Sequence, residues 1–396
     1  MFSPLLTRSP VPSSASPPSR KVRLPEGNSA CVPDPLPPAL AWTPALVGAL
    51  SDADRLIGRL AGEGGRLPNP HLLIRPFVRR EAVLSSRIEG TQATLGELLA
   101  AEAGIAVERS PADLREVGNY VVALEHGLGQ LGKVPLGVPL LLELHAKLMT
   151  GVRGGHASPG NLRDTQNWIG RPGSTLATAT YVPPPPEEIR PCLEAWDRFL
   201  VDRTLPPLVQ VGLAHYQFEA IHPFRDGNGR VGRLFITLFL MDRRVLPSPL
   251  LYLSAFFEAT RRDYYDCLRG VQERAEWEEW LLYFLEGVAR QSEDALSRAE
   301  RINSLLAGWR LKVAGASSPV PLRLVDLIAE NPYCTVKRAA ERLRVAFTTA
   351  QRAIDRLEAA RVLRRVGLAR RDRVYCAKAL LDILEEPANL TRREIR

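Results

Sequence analysis

The chain has 396 residues and a formal net charge of +8, and 45% of its residues are hydrophobic. This length predicts two or three domains rather than one compact core, and the positive charge suits phosphate-bearing partners without identifying one. No stretch is apolar enough to span a membrane, no signal-peptide core is found, and the five cysteines are scattered without metal-type spacing, which argues against a disulfide framework and favours a cytoplasmic protein.

The chain divides by composition into successive segments. Residues 1–38 are rich in proline and serine, and we expect them to be disordered. Residues 39–113 are predicted to be an N-terminal helical region, with one helix that begins near Arg79 and ends at Gly90. Residues 114–289 carry the helices of a central domain, and residues 290–319 are predicted to be a connecting helix followed by a linker. A separate module follows at 320–386, with a tail at 387–396.

Two predicted helices of the central domain are joined by His222-Pro-Phe-Arg-Asp-Gly-Asn-Gly-Arg-Val-Gly-Arg-Leu234. The first helix opens at prolines 206–207 and stops at His222, because the proline that follows disfavours helical geometry in the residue before it. The second helix has apolar residues on one face, so residues 226–229 form a loop that leads into a helix N-terminus. Free N–H groups and the helix dipole attract anions there, and glycines let the backbone approach a phosphate closely.

Side chains in the same stretch complete this anion site. Arg230 and Arg233 are forked, permanently charged donors that match phosphate oxygens. Asp226 would repel a bare phosphate, and a Mg²⁺ held by one carboxylate and substrate phosphates resolves the conflict. His222 can accept a proton from an attacking hydroxyl near neutral pH. A glycine turn with solvated arginines would not require all these groups at this spacing.

The stretch matches the pattern H-x-F-x-[DE]-G-N-G-R-x-x-R and resembles the signature of the Fic (filamentation-induced-by-cAMP) family. The resemblance implies a mainly α fold, with a Fic-type helical domain and a small β-hairpin flap, that transfers AMP from ATP to a hydroxyl side chain of a protein. It implies a general base at His222, a Mg²⁺ ligand at Asp226, a phosphate anchor at Gly227, Asn228 and Gly229, and a phosphate clamp at Arg230 and Arg233. Some relatives that phosphorylate carry lysine at the position of Gly229, so glycine is the form that goes with AMP transfer.

A second match lies upstream, where Ser85-Ser-Arg-Ile-Glu-Gly90 resembles the family's inhibitory motif [ST]-x-x-x-E-[GN]. Ser85 and Glu89 are four residues apart and project from one helix face. The resemblance implies that Glu89 pairs with Arg233, so that ATP loses its γ-phosphate clamp and binds in an unreactive pose. A solvated helix face would carry the same short pattern by chance, but its position before the signature favours inhibition from within the chain.

Two weaker segments fit the same family. Residues 173–186 are β-prone and then extended by prolines, and they resemble the flap, a hairpin that aligns the target by strand addition. Its target-docking residues would be Thr178, Ala179, Thr180 and Tyr181. The alternative is a plain surface hairpin. Tyr264 and Tyr265 resemble a segment that walls the nucleotide pocket, although buried tyrosines at helical spacing also fit a core.

The C-terminal module is predicted to be a winged helix-turn-helix, with helices at 321–330, 335–343 and 348–360 and a basic hairpin at 362–375. Thr335 is the predicted N-cap of the second helix. The third helix would present Thr348, Thr349, Gln351 and Arg352 to DNA, and the hairpin would meet phosphates through Arg364, Arg365, Arg370, Arg371 and Arg373. A dimerisation or target-docking module with solvated arginines is the alternative.

The sequence therefore predicts a protein adenylyltransferase that uses Mg²⁺ and ATP to modify a Ser, Thr or Tyr hydroxyl of a protein substrate or of itself. The other expected partners are DNA, through the C-terminal module, and a second copy of the chain. Two alternatives stay open. One is a DNA-binding regulator whose nucleotide site senses ATP. The other is a bifunctional enzyme that also removes AMP, with Glu89 positioning a water molecule.

Overall fold

The computed structural model of the chain describes residues 18–66, 71–108, 111–152, 158–171, 173–367 and 373–388. Helices make up most of these residues, with two small antiparallel sheets at the two ends of the described chain. No helix of the described ranges is long and apolar enough to cross a membrane.

The first sheet is a hairpin of β1 (Ser19–Arg23) and β2 (Ser29–Pro33). The expected disorder of residues 1–38 is therefore wrong for 18–38, while residues 1–17 lie outside the described ranges. Long-range contacts hold this segment: Cys31 N donates to Val182 O at 2.9 Å, and Gln217 Nε2 donates to Asp34 O at 2.9 Å. A composition argument could not detect such contacts, because they come from residues far along the chain.

Three helices follow: α1 (Pro44–Arg66), α2 (His71–Ile88) and α3 (Leu95–Glu102). The prediction that α2 begins near Arg79 is wrong, since the helix starts at His71 and includes Pro76. Proline removes one helical hydrogen bond, but Phe77 and Val78 are buried beside it, so packing offsets the lost bond. Gly90, with φ of +101°, lies just beyond the end of α2.

The central helices surround a buried pair. They are α4 (Pro111–Gln130), α5 (Val138–Leu148), α6 (Pro186–Val201), α7 (Pro207–Ile221), α8 (Asn228–Asp242), α9 (Ser254–Ala259) and α10 (Arg261–Arg274). Helices α7 and α8 pack against each other and are buried on almost all sides, so they form the centre of the core. The loop between them is residues 222–227, which places the signature stretch at one end of this central pair.

One long helix, α11 (Trp277–Val313), runs from the central domain to the C-terminal module. Its 37 residues correspond to about 55 Å. The prediction of a separate connecting helix from residue 290 is wrong, because the same helix already begins at Trp277, where Trp277 and Trp280 are buried. Residues 314–319 join it to the next helix.

The C-terminal module contains α12 (Val320–Glu330), β3 (Tyr333–Thr335), α13 (Val336–Leu343), α14 (Phe347–Ala359), β4 (Arg364–Val366), β5 (Val374–Cys376) and α15 (Lys378–Glu385). The strands form an antiparallel sheet of order β3-β5-β4. The N-cap prediction is confirmed, since Thr335 Oγ1 accepts from Arg338 N at 3.2 Å. Strand β3 and helix α15 were not predicted, and Arg370 and Arg371 lie outside the described residues.

The predicted flap at 173–186 is not a two-stranded hairpin. A single antiparallel bridge joins Ile169 to Tyr181, and a 3₁₀ turn forms at Leu176–Thr178. Within that turn Thr175 N donates to Thr178 Oγ1 at 2.9 Å. Such local side-chain bonds compete with a strand ladder, which explains why β-prone residues here form a loop.

Candidate active site

His222 terminates α7 in a left-handed conformation, with φ of 49° and ψ of 59°. The predicted helix stop is therefore confirmed. His222 Nδ1 lies 3.3 Å from Glu219 O, and because a carbonyl only accepts, Nδ1 carries the proton and Nε2 is left as a proton acceptor. Burial lowers the pKa of His222 to about 4, with Arg163 acting in the same direction. At neutral pH this imidazole is an uncharged base.

Arg163 fixes the backbone around His222. This buried guanidinium donates from Nε to His222 O at 2.9 Å and from Nη2 to Pro184 O at 2.5 Å. It therefore ties the end of α7 to the proline segment that precedes α6. The sequence assigned Arg163 no role, because the carbonyls of His222 and Pro184 that it binds lie far from it along the chain.

The loop before α8 is shaped by Gly227 and Asn228. Gly227 has φ of 81°, and a Cβ atom there would lie 2.9 Å from Met149 Sδ. The Asn228 side chain is buried and bonded to the backbone of Phe224 through both of its polar atoms, at 2.8 and 2.9 Å. Asn228 thus contributes by holding the loop closed, and the first N–H groups of α8 have no partner within the helix.

Arg230 is paired with a carboxylate in this structure. Its guanidinium is buried, pairs with Glu116 of α4, and lies 3.6 Å from Asp226 Oδ1. Its role as a phosphate clamp stays a prediction. Sequence reasoning missed Glu116 because it lies more than a hundred residues upstream.

Asp226 is the most accessible carboxylate of the loop, with 57% of its side chain exposed. No cluster of three or more metal-ligating side chains exists among the described residues. That does not conflict with a magnesium site, because Mg²⁺ in such sites is held by one or two carboxylates plus substrate phosphates. A single open carboxylate beside an anion-binding loop fits such an ion.

Arg233 is held by both polar residues of the upstream motif. Its Nε donates to Ser85 Oγ at 2.8 Å, and its Nη2 donates to Ser85 O at 3.0 Å and to Glu89 Oε1 at 2.7 Å. Burial alone would raise the pKa of Glu89, but the Arg233 guanidinium outweighs it and lowers that pKa. Glu89 is thus ionised and directly paired with Arg233, while Gly90 ends the segment.

Gly229 makes this pairing sterically possible. A Cβ atom at this position would overlap Glu89 Oε1 and would lie 2.8 Å from Arg233 Nη1. The absence of a side chain therefore lets the carboxylate and the guanidinium meet directly over the first turn of α8. The same open backbone is the predicted phosphate-binding surface, so Glu89 stands where an anion would approach.

A second carboxylate, Glu219, interacts electrostatically with Arg233. Burial raises the pKa of Glu219 to about 7, Arg233 lowers it, and Glu89 raises it. Sequence reasoning missed this residue because a lone glutamate in a helix looks like a solvated charge. Its only signal was its position three residues before His222, in a helix that is otherwise almost wholly apolar or buried.

The tyrosine pair is divided between core and site. Tyr264 is buried, its Oη lies 2.9 Å from His215 Nε2, and its ring stacks on Phe257. These contacts favour the core alternative for Tyr264, and its place in the wall of the nucleotide pocket stays a prediction. Tyr265 is 41% exposed and shares an electrostatic environment with Glu89 and Arg233, so it borders the site.

The four predicted docking residues differ in their exposure to solvent. Tyr181 is buried, and its Oη donates to Ala220 O at 2.8 Å, so its side chain is not available to a target. Thr178 and Thr180 are exposed and Ala179 is partly exposed. The backbone N–H groups of Thr180 and Tyr181 both donate to Ile169 O, at 2.8 and 3.0 Å.

Comparison with known families defines the class of this protein. The Fic/DOC family N-terminal model matches residues 47–129, and the Fic/DOC family model matches residues 135–240. Together with the helical fold and the signature loop, these matches show that residues 47–240 belong to the Fic/DOC family.

Two curated relatives illustrate the similarity. The chain is 31% identical to the Nematostella vectensis protein adenylyltransferase Fic over 134 residues, covering 32% of this chain and 27% of that protein. It is 28% identical to the Caenorhabditis elegans protein adenylyltransferase fic-1 over 225 residues, covering 53% of this chain and 39% of that protein. The matched region thus spans well under half the length of these relatives.

Solved structures share the fold. A Fic family protein from Desulfovibrio desulfuricans G20 superposes with a TM-score of 0.58 at 22% identity, covering 86% of this chain and 98% of that one. Fic-1 from Caenorhabditis elegans superposes with a TM-score of 0.50 at 21% identity, covering 65% and 75% of the two chains. The first of these likenesses extends over most of the chain.

Proposed function

We propose that this protein is an adenylyltransferase that transfers AMP from ATP to a Ser, Thr or Tyr hydroxyl of a target protein or of itself. The observation that carries the proposal is the uncharged His222, whose Nε2 is free to accept a proton beside a glycine-rich helix N-terminus. An anion site with a base beside it is what attack on a phosphoryl group requires. The curated relatives are protein adenylyltransferases, which supports the same reaction.

In the proposed reaction His222 Nε2 takes the proton of the target hydroxyl, and the hydroxyl oxygen bonds to the α-phosphorus. The bond from the α-phosphorus to the bridging oxygen of the β-phosphate breaks, and pyrophosphate leaves. The loop at Gly227 and the N–H groups of α8 hold the phosphates, so the chain contributes mainly alignment and electrostatic stabilisation. Asp226 would hold a Mg²⁺, which would neutralise phosphate charge when bound.

We further propose that Glu89 holds the enzyme in an inhibited state. Arg233 is the guanidinium that would hold the γ-phosphate, and Glu89 and Ser85 occupy two of its three nitrogens. Because a carboxylate and a phosphate need the same donors, only one of them can be bound at a time. This pairing supports inhibition within one chain.

Incubation with labelled ATP and Mg²⁺ tests both proposals. We expect no label with His222→Ala, and we expect Glu89→Gly to raise self-labelling by about tenfold or more, since a charge-assisted hydrogen bond contributes roughly 1.5–3 kcal/mol. Glu102→Gln is the matched control, because that carboxylate pairs with Arg79 away from the loop. Equal labelling of Glu89→Gly and Glu89→Gly/His222→Ala would overturn the transfer mechanism.

A second proposed activity is DNA binding by the C-terminal module as a winged helix. Its support is the exposure of the predicted contact residues: Thr348 and Arg352 on α14 are exposed, as are all three residues of β4, two of which are Arg364 and Arg365. A gel-shift assay with duplex DNA tests it. Binding that Arg352→Ala and Arg364→Ala weaken, and that added salt weakens, would support the proposal. No shift at low salt would refute it.

Location and assembly are proposals of the same kind. The five cysteines of the chain are all free, and three of them are buried, which supports residence in a reducing, cytoplasmic environment. We also propose that the chain forms a homodimer through its C-terminal module. A measurement of the molar mass in solution tests this. Release of AMP from a modified target, lost in Glu89→Gly, would support the bifunctional alternative.

A further inference from the structure

Glu219 is an exception within the central helix. Every residue of α7 from Leu208 to Ile221 is buried except Glu219, which is partly exposed. Its atom Oε1 is nevertheless buried and has no hydrogen-bond partner among the described residues. A buried carboxylate oxygen without a donor is costly, so its retention calls for an explanation.

The carboxyl group lies against the backbone of α8, next to Arg233. A Cβ atom on Gly232 would lie 2.5 Å from Glu219 Oε1, so only a glycine allows this approach. The charges of Glu219 and Glu89 both raise the pKa of Arg233, but of these two carboxylates only Glu89 is hydrogen-bonded to it. One buried guanidinium therefore interacts with two carboxylates, of which only Glu89 is hydrogen-bonded to it, while Glu219 Oε1 has no partner among the described residues.

The titratable groups near Glu219 come from α7 itself, from α8, from the segment after α2 and from α10. They are His215 and His222 on α7, Arg233 on α8, Glu89 after α2, and Tyr264 and Tyr265 on α10. The pKa of His222 is about 4 and that of His215 about 3, and the pKa values of both tyrosines are raised. Of these groups, Glu219 is the one whose charge changes near neutral pH.

We propose that Glu219 is a positioning residue that competes with the terminal phosphate of ATP for Arg233, and that it competes only when it is ionised. This inference rests on the proposed role of Arg233 in holding the γ-phosphate. In its protonated form Glu219 does not repel the phosphate and can donate a hydrogen bond to it. In its ionised form it repels the phosphate and attracts the guanidinium, so Arg233 is shared.

The sign of the pH effect follows from this competition. A phosphate placed beside Glu219 favours its protonated form, so ATP binding takes up a proton and weakens as the pH rises. Uptake of one proton limits the change in affinity to about tenfold per pH unit. Glu89 must first be removed, because its ion pair with Arg233 would otherwise mask the effect.

The experiment compares Glu89→Gly with Glu89→Gly/Glu219→Gln by calorimetric titration with ATP at about pH 6 and about pH 8. The ATP phosphates titrate equally with both proteins, so the difference between the two pH profiles isolates Glu219. We expect the affinity of Glu89→Gly to fall by about tenfold more than that of the double variant. With ADP, which lacks the γ-phosphate, the two profiles should coincide.

Parallel ATP profiles for the two proteins would overturn the inference. If Glu89→Gly/Glu219→Gln does not fold, proton uptake by Glu89→Gly alone decides the matter, measured as the dependence of binding heat on the buffer. Uptake seen with ATP and absent with ADP supports the inference, and equal uptake refutes it. Failure of Glu89→Gly to bind ATP at either pH would instead refute the proposed function.

Discussion

His145 and His215 are two fully buried histidines that hold the backbone of the site. His145 accepts from Gly160 N at its Nδ1, at 3.0 Å, so its Nε2 donates to Asp226 O at 3.0 Å. Its ring also stacks on Phe224 at 3.8 Å. Burial lowers the pKa of His145 to about 4 and that of His215 to about 3, so both are neutral in the folded protein at physiological pH.

Because both histidines are uncharged in the folded protein, we expect the protein to lose stability in mild acid. Between their folded pKa values and the unfolded value of about 6.5, the unfolded chain binds protons that the folded chain does not, so the free energy of unfolding falls as the pH falls. Each histidine contributes up to about 1.4 kcal/mol per pH unit in this range. Urea denaturation at about pH 7 and about pH 5 measures the loss.

His145→Gln provides the comparison for this effect. It should lower stability at neutral pH, because the packing on Phe224 is lost, but its stability should depend less steeply on pH than that of the wild type. Identical pH slopes for the two proteins would contradict the assignment of a buried neutral His145.

The turn between α7 and α8 shows how two adjacent elements depend on one backbone conformation. Gly227 has a positive φ and packs against Met149 and His145, leaving no room for a side chain. Gly227→Ala should therefore destabilise the fold by about 1–3 kcal/mol. It should also weaken ATP binding, since the loop is the proposed phosphate site.

Gly308→Ala is the matched control for this prediction. Gly308 lies inside α11, and a Cβ atom there would contact nothing within 4 Å. Replacing it should stabilise the protein by about 0.5–1 kcal/mol through the higher helix propensity of alanine. Equal effects of the two substitutions on the midpoint of urea unfolding would contradict the role of the Gly227 turn.

Elements with local signals were predicted well from the sequence. The prolines at 206–207, the His222-Pro223 stop and the Thr335 cap each depend on neighbouring residues, and the structure has helix ends at all three. The N-terminal hairpin segment contacts Gln217, and the start of α2 contacts Glu330 through Arg75; both partners are more than a hundred residues away, and both elements were missed.

In the site, too, contacts implied by a sequence motif were predicted, and contacts that depend on packing were not. Glu89, Ser85 and Arg233 meet in the structure where the family pattern implied, although their inhibitory role is a proposal. The pairing of Arg230 with Glu116 and the burial of Tyr181 could not be predicted, because each depends on which element packs alongside. Glu219 was not predicted because its raised pKa depends on the burial of the residues around it, which the sequence does not show.

At the scale of the whole molecule, the C-terminal module packs on α2 and α11. Arg298 of α11 is buried, pairs with Asp294, and donates to the carbonyls of Ile383, Glu386 and Pro387 at the end of α15. Arg80 of α2 donates to the same Glu386 carbonyl at 3.3 Å. The end of α15 is therefore joined directly to the helix that carries Ser85.

Arg298→Ala should separate the module from the central domain. Removing one partner of a buried ion pair costs about 3–5 kcal/mol, and here the carbonyls of Ile383 and Pro387 also lose the Arg298 donor, while Glu386 O keeps Arg80. We expect a lower melting temperature and faster proteolysis at residues 314–319. Arg301→Ala is the control, because its pair with Glu386 is exposed on both sides and should contribute less than about 1 kcal/mol. Equal protease resistance of the two variants would contradict this account.

The β1–β2 hairpin has a practical consequence for the design of truncated versions of this protein. Family matching begins at residue 47, so a shortened version that starts there would seem to keep the whole domain. It would lose the Cys31 N–H that supports Val182, one residue from Tyr181, and the carbonyl of Asp34 that satisfies Gln217 on α7. If such a truncated protein bound ATP but modified targets poorly, the loss of these two hydrogen bonds would explain the result, and it would not show that the wrong substrate had been chosen.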